Sequence, residues 1–223
     1  MRQMEKSIPT SRPAVVGVIH TVGGFSQAGI AGLDAVELRV DALPDLPSRT
    51  QLTELPVAAI ATVRRSDEGG VREMSEEERI AGYLAVLPFV AAIDLEMRSV
   101  EPTRDLIAAV RRAGKLVILS CHDFAGTPPL AELQKMCARM RELGADIVKV
   151  ATKTESPGEV ARLLGLLEGS SGPLAVMGMG TLGRASRLLF AKAGSALNYG
   201  WLDTPQVPGQ WSAREFIEML SRA

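Results

Sequence analysis

Residues Gly144-Ala145-Asp146-Ile147-Val148-Lys149-Val150-Ala151 form a short apolar run directly after a glycine. The run is rich in β-branched residues and does not alternate with polar ones, which is typical of a parallel strand covered on both faces. Before it stands an apolar stripe with helical spacing, made of Leu130, Leu133, Cys137 and Met140. Gly144 is placed where that helix should end, and Ser156 with Glu159 fits the start of the next one. The region therefore predicts helix, strand and helix in succession.

The same unit recurs along the whole chain. Eight apolar runs are each followed by a helical pattern, at residues 14–19, 35–39, 57–62, 90–95, 116–120, 146–150, 174–179 and 196–199. Eight such units predict a single-domain (β/α)8 TIM barrel of the α/β class. A doubly wound open sheet is the alternative fold. Its dinucleotide-binding version is weakened because no G-x-G-x-x-G motif follows the first run.

Composition limits the classes of function. The chain has 223 residues, 46% of them hydrophobic, with mean hydropathy +0.12, so it can bury one large core. Its 25 basic and 26 acidic residues give a net charge of −1, and they form no basic stripe. We therefore expect neither a nucleic acid nor a membrane as a partner.

The first residues differ in character from the rest of the chain. Residues 1–12 are polar and lack the apolar core of a signal peptide, so we expect a flexible N-terminal tail before a barrel domain over residues 13–223. Two cysteines, Cys121 and Cys137, do not make a secreted-type disulfide framework. A reducing, cytoplasmic location is the simpler interpretation.

A lysine interrupts the apolar run of the sixth predicted strand, where Lys149 stands between Val148 and Val150. Burial disfavours a charged ammonium, and a neutral amine attacks ketones and aldehydes to form Schiff bases. The alternative is a lysine whose stem is buried while its ammonium reaches water. This residue alone does not decide between the two interpretations.

More ionisable residues stand where other predicted strands end. Because the carboxyl ends of barrel strands form the active-site face, these side chains should share one rim. His122 can transfer protons at neutral pH, although a hydrogen bond to a loop carbonyl would explain it equally well. Glu68 could orient that imidazole, or it could form a loop salt bridge with Arg64 or Arg65.

Arginines join this predicted rim. Arg39 and Arg64 would be positive neighbours that favour a neutral lysine. Each could instead pair with a nearby carboxylate, the candidates being Glu37, Asp41 and Glu96. Arg187 lies one or two turns into the helix after the seventh strand, where a guanidinium can bind a carboxylate in a fork. The glycines of residues 178–183 could cradle a phosphate instead, but glycines alone are weak support.

Six segments occur in a recognisable order: Glu37-Leu38-Arg39-Val40-Asp41, Arg64…Glu68-Gly69-Gly70, Ser120-Cys121-His122-Asp123-Phe124, Lys149, Met177-Gly178-Met179…Ser186-Arg187 and Pro208-Gly209-Gln210. Together they resemble the type I 3-dehydroquinate dehydratase family of the shikimate pathway. Each motif is modest by itself, whereas the ordered set on eight strand–helix units is highly specific.

The resemblance implies a barrel that eliminates water from 3-dehydroquinate to give 3-dehydroshikimate through a Schiff base, without a metal or a cofactor. It implies that Lys149 forms the imine, that His122 is the general acid and base, and that Glu68 orients His122. Arg187 would bind the substrate carboxylate. Further substrate contacts are implied for Glu37, Arg39, Arg64, Met177, Met179, Gln206 and Gln210. A homodimer is also plausible from the family.

Two positions depart from the family pattern. A serine is usual where Gln206 stands, and phenylalanine is frequent where Tyr199 stands, so the departures concern the lid contacts. Two other functions stay open on the residues alone. A class I aldolase barrel can also form an imine on a lysine of the sixth strand, but it usually needs a sugar-phosphate site. A non-catalytic carboxylate-binding barrel would have to lack an essential group.

Overall fold

The structure is a computed structural model that describes residues 6–206 and 210–222. Eight β-strands form one parallel sheet: β1 (Ala14–Ile19), β2 (Ala35–Arg39), β3 (Ala58–Thr62), β4 (Ala92–Glu96), β5 (Leu116–Asp123), β6 (Ile147–Lys153), β7 (Leu174–Met179) and β8 (Leu197–Trp201). Three of them, β1, β2 and β7, have the predicted bounds.

The strands close into a barrel. Each strand from β1 to β6 pairs with its successor, and β8 pairs with β1. In the described part of the chain, β7 and β8 share no β-ladder. A backbone hydrogen bond from Ala196 N–H to Leu174 C=O (2.8 Å) links the segments beside them. This nearly closed (β/α)8 barrel confirms the predicted fold class over the open sheet.

Helices cover the outer face of the strands. They are α1 (Arg49–Thr53), α2 (Glu76–Val86), α3 (Arg104–Arg112), α4 (Leu130–Glu142), α5 (Pro157–Glu168), α6 (Gly183–Lys192) and α7 (Ala213–Arg222). Between β1 and β2 a short 3-10 helix, Val22–Gln27, takes the place of an α-helix. Ser75 and Ser156 begin α2 and α5 with capping boxes, and the one at Ser156 was predicted. Of the helices in residues 6–206 and 210–222, none is both long and apolar enough to cross a membrane.

Alternation along the strands divides the core into two parts. The larger part lies between the strands and the helices and includes Leu38, Ile93 and Leu119. The smaller part fills the barrel lumen, where residues such as Ala35 and Ile60 are buried. Because side chains repeat every second residue, a polar residue two positions after a lumen residue also points into the lumen.

β5 and β6 extend further than predicted. Their ladder continues through the pairs His122–Ala151 and Asp123–Thr152, so both strands reach the rim together. His122 therefore lies on a strand and not in a loop. It follows Ile118 of the lumen by four residues, so the pleat turns its side chain towards the barrel mouth.

The segment before β1 contributes to the lumen. Ile8 is buried together with the alanines that line the amino ends of the strands, and Lys6 donates a hydrogen bond to the Leu55 carbonyl. Pro9 is half-buried, whereas Thr10, Ser11 and Arg12 are exposed. Ile8 is thus packed within a segment predicted to be a flexible tail. Residues 1–5 lie outside the described residues, and for the tail as a whole the expectation stays a prediction.

Candidate active site

Polar side chains occupy the middle of the barrel lumen. Glu37, Asp94, Ser120 and Lys149 each follow a lumen residue by two positions on four different strands, β2, β4, β5 and β6. All of them are buried, and Lys149 is only 3% exposed. The predicted rim of ionisable groups thus begins deeper than expected, inside the barrel.

Lys149 is held by two carboxylates. Its Nζ donates to Asp94 Oδ2 at 2.6 Å and to Glu37 Oε1 at 3.2 Å. The same Nζ lies 4.1 Å from the centroid of the Tyr199 ring, a distance suited to a cation–π contact. The head of this lysine does not reach water, so the snorkelling alternative is wrong. The sequence predicted arginines as neighbours of the lysine, whereas its direct partners are carboxylates.

Arg64 fixes one of these carboxylates. Its guanidinium donates to Asp94 Oδ1 (2.9 Å), Glu96 Oε1 (2.9 Å) and Ser120 Oγ (2.7 Å). Burial opposes the charge on Arg64, but Asp94 and Glu96 overcome it and raise its pKa well above the ordinary value. Arg79 of α2 continues the network outward by pairing with Glu96. The alternative that Arg64 pairs with a carboxylate is therefore present in the structure.

His122 and Glu68 form a hydrogen-bonded pair at the barrel mouth. His122 Nδ1 lies 3.0 Å from Glu68 Oε2, and the His122 backbone N–H donates to the same oxygen at 3.0 Å. Arg98 Nε contacts the other oxygen, Oε1, at 3.0 Å. With Nδ1 protonated towards the carboxylate, Nε2 carries the free lone pair, and this tautomer is inferred from the hydrogen bond.

The surroundings of this pair shift both pKa values. Burial, together with the positive charges of Arg64 and Lys149, lowers the pKa of His122 well below its ordinary value. Burial and the nearby carboxylate of Glu96 raise the pKa of Glu68 to about 7. His122 is therefore a neutral imidazole at neutral pH, and a neutral imidazole can accept a proton.

A local turn brings Glu68 to the histidine. The 3-10 helix Ser66–Glu68 ends at Gly69, whose φ of 89° is the left-handed conformation that glycine favours. At Gly70 a Cβ atom would stand 2.3 Å from the Arg64 carbonyl oxygen. The backbone conformation at Gly69 and the close packing at Gly70 thus both require glycine.

Arg187 is a partly buried cation whose hydrogen bonds go to backbone carbonyls. Its Nε donates to the Gly178 carbonyl (3.1 Å) and its Nη1 to the Tyr199 carbonyl (3.3 Å). In the described part of the chain, no carboxylate lies within salt-bridge distance of it. Burial alone lowers the pKa of Arg187 to about 10. An anionic ligand would relieve this uncompensated charge.

Close packing explains the glycines near Arg187. A Cβ on Gly178 would stand 2.1 Å from Ser186 Oγ, and one on Gly183 would stand 3.0 Å from the Gly178 carbonyl oxygen. These glycines let α6 approach β7 and set the position of Arg187. They are accounted for without a phosphate.

Arg39, the last residue of β2, pairs with the carboxylate two residues further along the chain. It donates in a fork to both oxygens of Asp41, at 2.9 and 2.8 Å, and to the Gly69 carbonyl at 3.0 Å. Asp41 is the alternative partner that the sequence offered for this arginine. The guanidinium thereby ties β2 to the loop that carries Glu68.

The remaining predicted contacts lie on β7 and in the last loop. Met177 is buried among the lumen residues, and Met179 is partly buried beside them. Gln206 and Gln210 meet, since the Gln206 backbone N–H donates to Gln210 Oε1 at 3.3 Å. Residues 207–209, which carry the Pro-Gly of the last motif, lie outside the described residues.

The fold is an eight-stranded α/β barrel, and one end of it holds a buried amine, an imidazole and a guanidinium that pairs with no carboxylate in the described part of the chain. This combination is typical of (β/α)8-barrel enzymes. The model of the type I 3-dehydroquinase family matches residues 24–222. The chain belongs to that family, which confirms the resemblance seen in the sequence.

Relatives and solved structures agree with this assignment. A 3-dehydroquinate dehydratase of Pyrococcus abyssi (strain GE5 / Orsay) is 35% identical over 188 residues, covering 84% of this chain and 86% of the relative. One from Methanothrix thermoacetophila is 36% identical, covering 87% and 84%. A solved type I 3-dehydroquinate dehydratase of Clostridium difficile, described with covalently modified comenic acid, superposes with a TM-score of 0.86 at 26% identity, covering 100% of this chain and 98% of that one. The Aquifex aeolicus VF5 structure gives 0.82 at 29% identity, covering 94% and 98%.

Proposed function

We propose that the protein dehydrates 3-dehydroquinate to 3-dehydroshikimate through an imine on Lys149. One observation carries the proposal: the buried amine and the unpaired guanidinium flank the same residue. Lys149 Nζ lies 4.1 Å from the Tyr199 ring, and Arg187 Nη1 lies 3.3 Å from the Tyr199 carbonyl. A small molecule with a ketone and a carboxylate is the ligand that such a pair suits.

The two carboxylates around Lys149 suit a cationic intermediate. An iminium carries its positive charge on the same nitrogen as the ammonium it replaces. Asp94 and Glu37, at 2.6 and 3.2 Å from that nitrogen, therefore stabilise the intermediate with contacts that are already formed. The iminium in turn draws electrons from the neighbouring C–H bond and makes it acidic.

His122 is the proposed acid and base. Its Nε2 removes the acidified proton and then gives a proton to the hydroxyl on the next carbon, which leaves as water. Another water molecule hydrolyses the imine to release product and amine. Glu68 accepts the Nδ1–H at 3.0 Å and holds the tautomer that this step needs. General acid–base help of this kind accelerates reactions by roughly 10²–10⁴-fold.

The other predicted contacts are proposed in supporting roles. Arg187 binds the substrate carboxylate, and Met177 and Met179 form the apolar wall beside the ring. Arg64 and Arg39 act through the acids they hold, Asp94 and Asp41. The remaining polar contacts are proposed for Glu37, Gln206 and Gln210.

The test is reductive trapping. Borohydride added during turnover should attach the reduced substrate to the peptide that contains Lys149, as read by mass mapping. Lys149→Met should show neither label nor turnover, whereas His122→Ala should still be labelled but dehydrate far more slowly. Lys153, which lies four residues further along the same strand and is partly exposed, gives the matched control Lys153→Met. Full turnover with no label, or with a label elsewhere, contradicts the proposal.

A further inference from the structure

Tyr199 has a buried hydroxyl without a partner. The residue lies on β8, packs among the lumen residues and is 4% exposed. Its hydroxyl oxygen makes no hydrogen bond within the described part of the chain. By contrast, the hydroxyl of Tyr83, the other tyrosine, donates to the Asp94 carbonyl at 2.6 Å. An unpartnered hydroxyl weakens a folded protein, so a ligand contact is a sufficient reason to keep it.

The neighbouring carboxylates do not accept a hydrogen bond from this hydroxyl. The hydroxyl is close enough to Glu37 and Asp94 to feel their charges, but neither carboxylate accepts its hydrogen bond. Glu37 Oε1 accepts from Thr62 and Lys149, while both oxygens of Asp94 accept from Arg64, Ser120 and Lys149 together. Among the residues that the structure describes, this donor therefore has no acceptor, although it lies in the middle of a polar site.

The ring faces the atom on which the proposed reaction begins. Lys149 Nζ lies 4.1 Å from the ring centroid. When the amine attacks a ketone, the carbonyl carbon lies one bond from Nζ, and the ketone oxygen lies two bonds away. A ketone attacked at Nζ therefore lies beside the tyrosine, and its oxygen gains negative charge as the carbinolamine forms.

We propose that Tyr199 is a further catalytic residue, whose hydroxyl donates a hydrogen bond to the ketone oxygen and to the carbinolamine oxygen that follows. This inference rests on the proposed function. No proton changes owner in the contact, which acts as a fixed donor aimed at developing charge. Burial and the charges of Glu37 and Asp94 raise the pKa of Tyr199 well above its ordinary value, so the hydroxyl stays protonated at every working pH.

The test compares Tyr199→Phe with Tyr83→Phe. Each variant deletes one buried hydroxyl, and within residues 6–206 and 210–222 only the hydroxyl of Tyr83 has a hydrogen-bond partner. We expect Tyr199→Phe to slow imine formation by about tenfold or more, measured as label per time after borohydride quenching of a single turnover. Its melting temperature should equal or exceed that of the wild type. Tyr83→Phe should melt at a lower temperature and form the imine at close to the wild-type rate.

The outcomes distinguish the role of Tyr199 from the proposed imine mechanism on Lys149. If the wild type is labelled on Lys149 and Tyr199→Phe forms the imine at an unchanged rate, the role of Tyr199 is wrong and the proposed function stands. A Tyr199→Phe protein that fails to fold or melts well below the wild type shows a structural hydroxyl and also overturns the role. If the wild type itself gives turnover without a label, the imine mechanism fails first, and the role of Tyr199 fails with it.

Discussion

Replacing Arg187 with methionine should make the protein slightly more stable and much less able to bind substrate. Methionine keeps the length of the side chain but removes its charge. Burial lowers the pKa of Arg187 to about 10, against an ordinary value of 12.5. At 1.36 kcal/mol per pKa unit, the uncompensated charge costs the folded state about 3 kcal/mol.

The substitution also deletes two hydrogen bonds. Those to the Gly178 and Tyr199 carbonyls contribute roughly 1 kcal/mol each, so about 1 kcal/mol of net stabilisation should remain. For a chain of this length that corresponds to a melting temperature higher by roughly 2–4 °C. The measurements are thermal and urea unfolding of the ligand-free protein.

Binding should change in the opposite direction. A forked guanidinium–carboxylate contact is worth about 3 kcal/mol or more, so KM should rise by at least about 100-fold. Arg64→Met is the matched control, because that arginine pairs with Asp94 and Glu96. It should lose about 3–5 kcal/mol of stability. An Arg187→Met variant destabilised by more than about 2 kcal/mol, or one with wild-type KM, would refute the reasoning.

Further tests address the histidine pair, the lysine counter-ion and the packing of α6. Since the pKa of Glu68 is raised to about 7, its orienting carboxylate form is lost as pH falls through about 7, and kcat/KM should fall with it. Glu68→Gln should remove that limb of the pH profile; an unchanged limb means that another group sets it. Asp94→Asn should lower the free energy of unfolding by about 3 kcal/mol or more in urea titrations, because Arg64 and Lys149 keep their charges after their buried partner is lost. Gly178→Ala should lower the melting temperature, since its Cβ would stand 2.1 Å from a serine hydroxyl, whereas Gly158→Ala, with open space around it, should not.

The barrel was predictable because its strands carry their own signal. Fully covered parallel strands need uninterrupted apolar runs, and the bounds of β1, β2 and β7 follow directly from them. The ends of β5 and β6 were not predictable in this way. They extend as far as they do because polar residues such as His122 pair across the ladder, which no local preference shows.

The sequence indicates which residues belong to the candidate site better than it indicates which of them contact one another. Lys149, His122 and Arg187 stand out because charged residues interrupt or follow apolar runs. The counter-ion Asp94 was missed, although its position two residues after Ala92 of the lumen already turns it inward. Period-two alternation could have found it. The distance from its carboxylate to the lysine depends on how eight strands close, and a sequence does not give that.

Arg187 also has a structural role, because it lies between β7 and β8. With no ladder joining the two strands in the described part of the chain, this guanidinium connects them by donating to Gly178 of one and Tyr199 of the other. A ligand bound to the guanidinium would hold it in this position and so strengthen the connection between β7 and β8. Ligand binding should therefore slow amide hydrogen exchange along β7 and β8, because the barrel wall between them is most stable in the liganded protein.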